Sequence, residues 1–108
     1  MKRDTILAID VGTGSVRVAL VGLDGTILAM VQREHDQITP QRGWSAQRAS
    51  QWWANAHDGI RQILSENQGV ARKLLCVSTC GQMHGTVLVD EDGQTVLDEV
   101  PLWNDKRC

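Results

Sequence analysis

Asp10-Val-Gly-Thr-Gly-Ser-Val-Arg17 gathers a carboxylate, two glycines, two hydroxyls and a cation within eight residues. That set is chemically complete for holding phosphate. Gly12 and Gly14 accept positive φ and leave no side chain between a ligand and the backbone N–H groups. Thr13 and Ser15 add hydroxyl donors, Arg17 supplies a cation if its side chain faces the cleft, and Asp10 can hold a hydrated Mg²⁺. From these residues alone, a hairpin turn using glycine for its geometry accounts for the segment equally well. A dinucleotide loop does not: Arg17 stands where G-x-G-x-x-G needs its third glycine, and the sequence beyond it has a strand pattern. The lysine and spacing of a G-x-x-x-x-G-K-[ST] loop are also missing. A nuclease built on a strand carboxylate would need further acidic ligands and a basic surface, and neither is visible.

Gly81-Gln-Met-His-Gly85 is the second segment with chemical content. Two glycines let the backbone bring Gln82 and His84 to a cleft as donors and acceptors for hydroxyl groups, with Met83 as a soft apolar wall. The competing reading is a connecting loop with a solvated histidine. Trp103-Asn-Asp105 repeats the logic, because an indole face suits the C–H side of a sugar while Asn104 and Asp105 suit its hydroxyls. A core tryptophan followed by a turn is the alternative there. Cys76, Cys80 and His84 match no common zinc spacing, so the two cysteines are expected to pack as small buried hydrophobes on a strand.

These segments need elements to position them. Thr5 to Asp10 is an apolar run ending in a carboxylate, a buried strand leading into the glycine loop. Ser15 to Val21 and Ile27 to Arg33 read as two more strands joined by a turn at Asp24-Gly25, giving a three-strand meander. After a polar loop from Glu34 to Gly43, Trp52, Trp53, Ala56, Ile60, Ile63 and Leu64 recur at helical spacing, with Trp52 and Trp53 both read as packing residues. Ser45 or Ser50 is the expected N-cap of this helix, and Gly69 its C-terminal stop. Trp44 fits a loop anchor and a site wall equally. Leu74 to Thr79 and Thr86 to Val89 read as strands, the latter followed by a turn at Asp90-Glu-Asp-Gly93 and an extended segment ending at Trp103. Strand meander, helix, strand is the order of the α/β ribonuclease-H-like core found in actin-like ATPases, although that order alone fixes no function.

Composition narrows the partners. The chain has 108 residues, 42% of them hydrophobic, enough for one modest core. Its 11 Lys and Arg against 13 Asp and Glu, with no run of like charges, argue against nucleic acid or a membrane surface as partner. Neither a spanning segment nor a leader is apparent, and three cysteines form no dense framework, so a cytoplasmic location is expected.

Asp10-Val-Gly-Thr-Gly-Ser, Gly43-Trp-Ser with Gln51-Trp-Trp53, Gly81-Gln-Met-His-Gly85, and Leu102-Trp-Asn-Asp105 with Arg107-Cys108 together resemble, in this order, the N-terminal part of the FGGY carbohydrate kinases. The resemblance covers essentially the whole chain, and its nearest branch is that of the xylulokinases. It implies an actin-like, ribonuclease-H-type domain with a mixed sheet, a three-strand meander and one long helix. Residues 1–108 would be the N-terminal part of the first kinase domain, with a second, ATP-closing domain outside the chain. The implied reaction is ATP- and Mg²⁺-dependent phosphorylation of a ketopentose such as D-xylulose, with glycerol, ribulose or gluconate as alternatives. A non-catalytic sugar-binding module would apply if the chain naturally ends at Cys108.

By the same resemblance Asp10 serves phosphoryl transfer and the metal, and Gly12, Thr13, Gly14, Ser15 and Arg17 approach the nucleotide's phosphoryl group. Gln82, Met83, His84, Trp103, Asn104 and Asp105 line the sugar site. The general base would be an aspartate beyond Cys108, so these residues alone are expected to be inactive. A homodimer is the assembly considered for the full-length protein. Two positions depart from the xylulokinase pattern: Arg17 replaces the usual lysine, and Arg48 the usual acidic helix cap.

Overall fold

The computed structural model describes residues 2–107. Strands β1 (Thr5–Val11), β2 (Ser15–Gly22) and β3 (Ile27–Glu34) form the antiparallel meander. Chain reversal between β2 and β3 uses Gly25 at φ 89°, a left-handed turn position that suits glycine. Helix α1 (Ala49–Glu66) follows the short strand β4 (Ala46–Arg48), and a helical turn α2 (Gln68–Ala71) leads to β5 (Leu74–Gly81). β5 pairs parallel with β1, so the sheet order is β3-β2-β1-β5. Parallel pairing needs a long crossover, and α1 is its main part.

The period of two along each strand divides the sheet into two faces. Leu7 faces Leu20 across β1 and β2, Ile9 faces Val18, and Val11 faces Val16. These residues lie beneath α1, where Leu7, Val16, Val18, Leu20 and Ile63 form the buried cluster and Ile60 and Leu64 pack against it. The helix comes close: a Cβ at Gly59 would lie 3.1 Å from Val18 Cγ2. On the opposite face the same alternation places Asp10 directly across from Arg17, and Arg17 from Gln32. The core therefore occupies one face and the charged row the other.

Several local expectations are corrected. Neither Ser45 nor Ser50 caps α1. Its N-cap is Arg48, without a side-chain bond, and the cap arrives from a distant segment: Ala49 N–H donates to the Asp98 carbonyl at 2.9 Å and Ser50 N–H to the Asp98 carboxylate at 2.8 Å. Gly69 lies within α2, and α1 ends instead at Asn67, whose Nδ2 donates to the Ile63 carbonyl at 2.9 Å. Thr86 to Val89 forms no strand, since Val89 makes only an isolated bridge to Thr95 across the Asp90 turn. β4 was not foreseen; it pairs antiparallel with β6 (Glu99–Pro101). Trp53 is 75% exposed and does not pack, whereas Trp52 turns inward. Cys76 and Cys80 are exposed on β5, because they pair with Ile6 and Asp10 on the face of the sheet away from α1.

Candidate functional site

At the C-terminal end of β1, Asp10, the Gly12–Ser15 loop, Arg17, Gln32 and Glu34 surround an open cavity of about 440 Å³. The loop closes on itself through Gly12 N–H donating to the Ser15 carbonyl at 2.9 Å. Gly12 and Gly14 do not adopt positive φ, contrary to expectation. Space is what they provide: a Cβ at Gly12 would sit 3.2 Å from the Ser15 carbonyl oxygen, and nothing lies within 4 Å of one at Gly14.

Three consecutive carbonyls of the loop are held from behind. Gly12 O accepts from Gln82 Nε2 at 2.8 Å, Thr13 O from Gln47 Nε2, and Gly14 O from His35 N–H at 2.9 Å. In a trans peptide the following N–H points opposite to the carbonyl, and the chain contains no cis peptide among its described residues. The N–H groups of Thr13, Gly14 and Ser15 consequently turn away from the scaffold, the orientation an anion-binding loop requires.

Gln82 thus reaches the loop, with its donor on the Gly12 carbonyl, while its buried Oε1 has no partner in the structure. Met83 is 64% exposed and His84 is exposed at φ 59°, a left-handed conformation uncommon outside glycine that histidine, like Asn and Asp, adopts more readily than most. From the other direction, Trp103 lies half open to solvent and its Nε1–H donates to Thr13 Oγ1 at 3.1 Å. The three chemical segments of the sequence therefore converge on Gly12 and Thr13. Asn104 is exposed beside them in sequence.

Asp105 is placed differently from a hydroxyl-binding group. Its carboxylate accepts from Ser45 N–H at 2.7 Å and from Arg107 through Nε and the terminal guanidinium nitrogen, the latter at 2.7 Å. Arg107 in turn lies 3.9 Å over the Trp44 ring, which makes Trp44 a loop anchor. Asp105 is held well below the usual carboxylate range by the Arg107 guanidinium, and further by the Ser45 and Arg107 backbone N–H groups, against a desolvation push the other way.

No local pattern announces Cys80 beside Asp10. Parallel pairing of β1 with β5 sets them opposite each other, and a hydrogen bond to the Asp10 carboxylate pushes the thiol's pKa up. Gln47 and His35 were missed as well, since only the pairing of β4 and the end of β3 bring them to the loop. His35 is lowered by partial burial, opposed by the Asp36 charge. Among the described residues no group of three or more His, Cys, Asp or Glu could cage a metal ion. Asp10 beside a phosphate-sized cavity suits instead a hydrated Mg²⁺ shared with phosphate oxygens, the usual protein binding mode of that ion.

A mixed sheet with an antiparallel meander under one crossover helix places the chain in the actin-like fold class, the fold of the sugar kinases it superposes on. The chain belongs to the FGGY family of carbohydrate kinases, whose N-terminal domain it matches over residues 5–108. It is 33% identical to the xylulose kinase of Bacillus subtilis over 94% of this chain and 20% of that protein. Glycerol kinase of Methylorubrum extorquens is 35% identical over 96% of this chain and 21% of its own length. The crystal structure of xylulose kinase from Rhodospirillum rubrum superposes with a TM-score of 0.87 at 26% identity, covering 96% of this chain and 21% of that one. The chain spans about a fifth of the length of the relatives it matches.

Proposed function

We propose that this chain forms the phosphate-loop and sugar-contacting part of a kinase that transfers the γ-phosphoryl group of ATP to a hydroxyl of a small polyhydroxylated substrate. A ketopentose such as D-xylulose is the first candidate, and glycerol the second, because relatives of both kinds match at similar identity. The observation that carries this reading is the convergence of Gln82 and Trp103 on Gly12 and Thr13, which sets a hydroxyl-reading segment against a phosphate-holding loop. Phosphoryl transfer asks mainly for positioning and charge neutralisation. The outward N–H groups of Thr13 to Ser15 would hold phosphoryl oxygens, Arg17 would balance their charge, and Asp10 would hold Mg²⁺, which supplies further neutralisation when bound. Met83, His84, Trp103 and Asn104 would face the sugar, with Gln82 and Asp105 fixing the segments that carry them.

Residues 1–108 then make up the N-terminal part of the first kinase domain, and the general base and adenine pocket belong to sequence beyond Cys108. Closure of two domains would exclude water and complete the site. A cytoplasmic location fits this chemistry; no helix among the described residues is long and apolar enough to cross a membrane.

A substrate panel given to the longer protein tests the assignment. Replacing His84 by Ala raises KM for the preferred sugar by about tenfold, the worth of a good hydrogen bond to ligand, while KM for ATP stays near wild type. Equal losses for both substrates would remove the 82–84 loop from the sugar site. Sugar-dependent ADP formation by the purified 108-residue chain would overturn the division of labour between domains.

A further inference from the structure

Gln47 is fully buried at 0% exposure, in the middle of β4. Burying an uncharged amide is costly unless its donors and acceptor are matched. Here they are matched by groups whose chemistry leaves no choice of orientation. Trp52 Nε1–H is a donor only and lies 2.8 Å from Gln47 Oε1, while the Thr13 carbonyl is an acceptor only and faces Gln47 Nε2. The amide cannot be turned over without breaking both contacts. Around it, Gln37 Oε1 accepts from the same Nε2 at 3.4 Å, and Gln82 Nε2 donates to the same Oε1 at 3.5 Å. One side chain therefore links helix α1, the phosphate loop and the 81–85 loop.

We propose that Gln47 is a positioning residue for the phosphate loop: held by Trp52, it anchors the Thr13 carbonyl and so fixes the outward direction of the Gly14 N–H. The inference rests on the proposed phosphate role of the loop for its meaning, but its geometry can be tested without any ligand. Of the three donors behind the loop, His35 directly follows β3 and lies 3.2 Å from Asn55 Nδ2 of α1, and Gln82 sits on a connecting loop. Gln47 is the one fully buried residue among the three, and its side chain joins the loop directly to Trp52 of α1. Loosening Gln47 should therefore free the loop while the sheet stays formed.

The experiment is amide hydrogen exchange by NMR on this chain, comparing wild type with Gln47→Met and Gln47→Glu. Met keeps the volume and removes both hydrogen bonds; Glu keeps an acceptor for Trp52 and loses the donor to Thr13. The reporters are the Gly12 and His35 amides, which are bonded to Ser15 O and Gly14 O. In both variants these exchange about tenfold faster, the effect of one lost buried hydrogen bond, with Val18 and Leu20 amides unchanged. The Trp52 indole N–H loses protection in Gln47→Met and keeps it in Gln47→Glu. Wild-type protection of Gly12 and His35 in both variants would overturn the proposal. Should neither variant fold, Trp52→Phe, which keeps an aromatic ring and removes the indole donor, must by itself speed exchange at Gly12 and His35, or the proposal fails.

Titration of the longer protein, which would carry the adenine pocket, with Mg-ATP then separates this inference from the functional reading. Weaker binding by the Gln47 variants, with shifts at Gly12–Ser15 in the wild type, supports both. Faster loop exchange together with no wild-type response to Mg-ATP sinks the phosphate role and leaves Gln47 as the loop's anchor.

Discussion

Asp105 was expected among the sugar-binding groups, and its surroundings give it a different task. Its side chain is 2% exposed, and its oxygens are taken up by Ser45 and Arg107, so it fastens the segment bearing Trp103 to the start of β4. Because its native pKa lies below the unfolded value, about 3.9 for aspartate, this contribution is complete above that value and is lost as pH falls toward the native one. Urea midpoints measured from about pH 5 to about pH 2 should therefore fall more steeply for wild type than for Asp105→Asn, which is the less stable of the two at neutral pH. Parallel curves would show that the carboxylate has no such role. At the same scale, the types and spacing of residues 10–17 point to the proposed phosphate loop, while the partners of each carbonyl stayed hidden. They are contributed from 21 to 70 positions away and answer to no local pattern.

Helix α1 shows how an element's periodicity can be legible while its boundaries are not. Ile60, Ile63 and Leu64 announced the buried stripe, and Ile63 is indeed at 0% exposure. The start was misread because local capping rules look for Ser, Thr, Asp or Asn next to the helix, whereas Asp98 supplies the cap from beyond β5. Replacing Asp98 by Ala is expected to cost about 1 kcal/mol, the usual worth of an N-cap, with fraying at Ala49 and Ser50 in amide exchange. Asp98→Asn, which keeps an acceptor, should recover most of it; no difference between Ala and Asn would argue against capping. The meander and β5 were readable from alternation and glycine turns. β4 was not, since a three-residue strand is too short to show a period, while β6 falls in the extended segment expected to end at Trp103. Thr86 to Val89 had strand composition without a strand neighbour, and composition cannot supply a partner.

Across the whole molecule, cover is uneven. α1 shields β2 and β3, yet Leu75 and Val77 on β5 are 53% and 59% exposed, and Leu88, Val96 and Leu97 are similarly open. Apolar surface of this kind is uncommon on a self-sufficient monomer. The 108-residue chain should accordingly bind the dye ANS under conditions where it still unfolds cooperatively, and the double substitution Val77→Ser with Leu97→Ser should sharply lower that fluorescence. An ANS-silent wild type would mean that these side chains find cover in solution. The mixed sheet order followed from the sequence of elements, whereas which face would remain bare depended on where a single helix settles.

Thr13 meets Trp103 across 90 positions of chain, and Gly12 meets Gln82 across 70. During synthesis the polypeptide emerges from its N-terminus, and the meander can assemble as soon as β3 is free. The glycine loop then gains His35 and Gln47 early, but waits for Gln82 and Trp103 until those segments leave the ribosome and return to it. Closing so long a loop carries its entropic cost before any contact offsets it. The site is thus completed only after the sheet that carries it has formed.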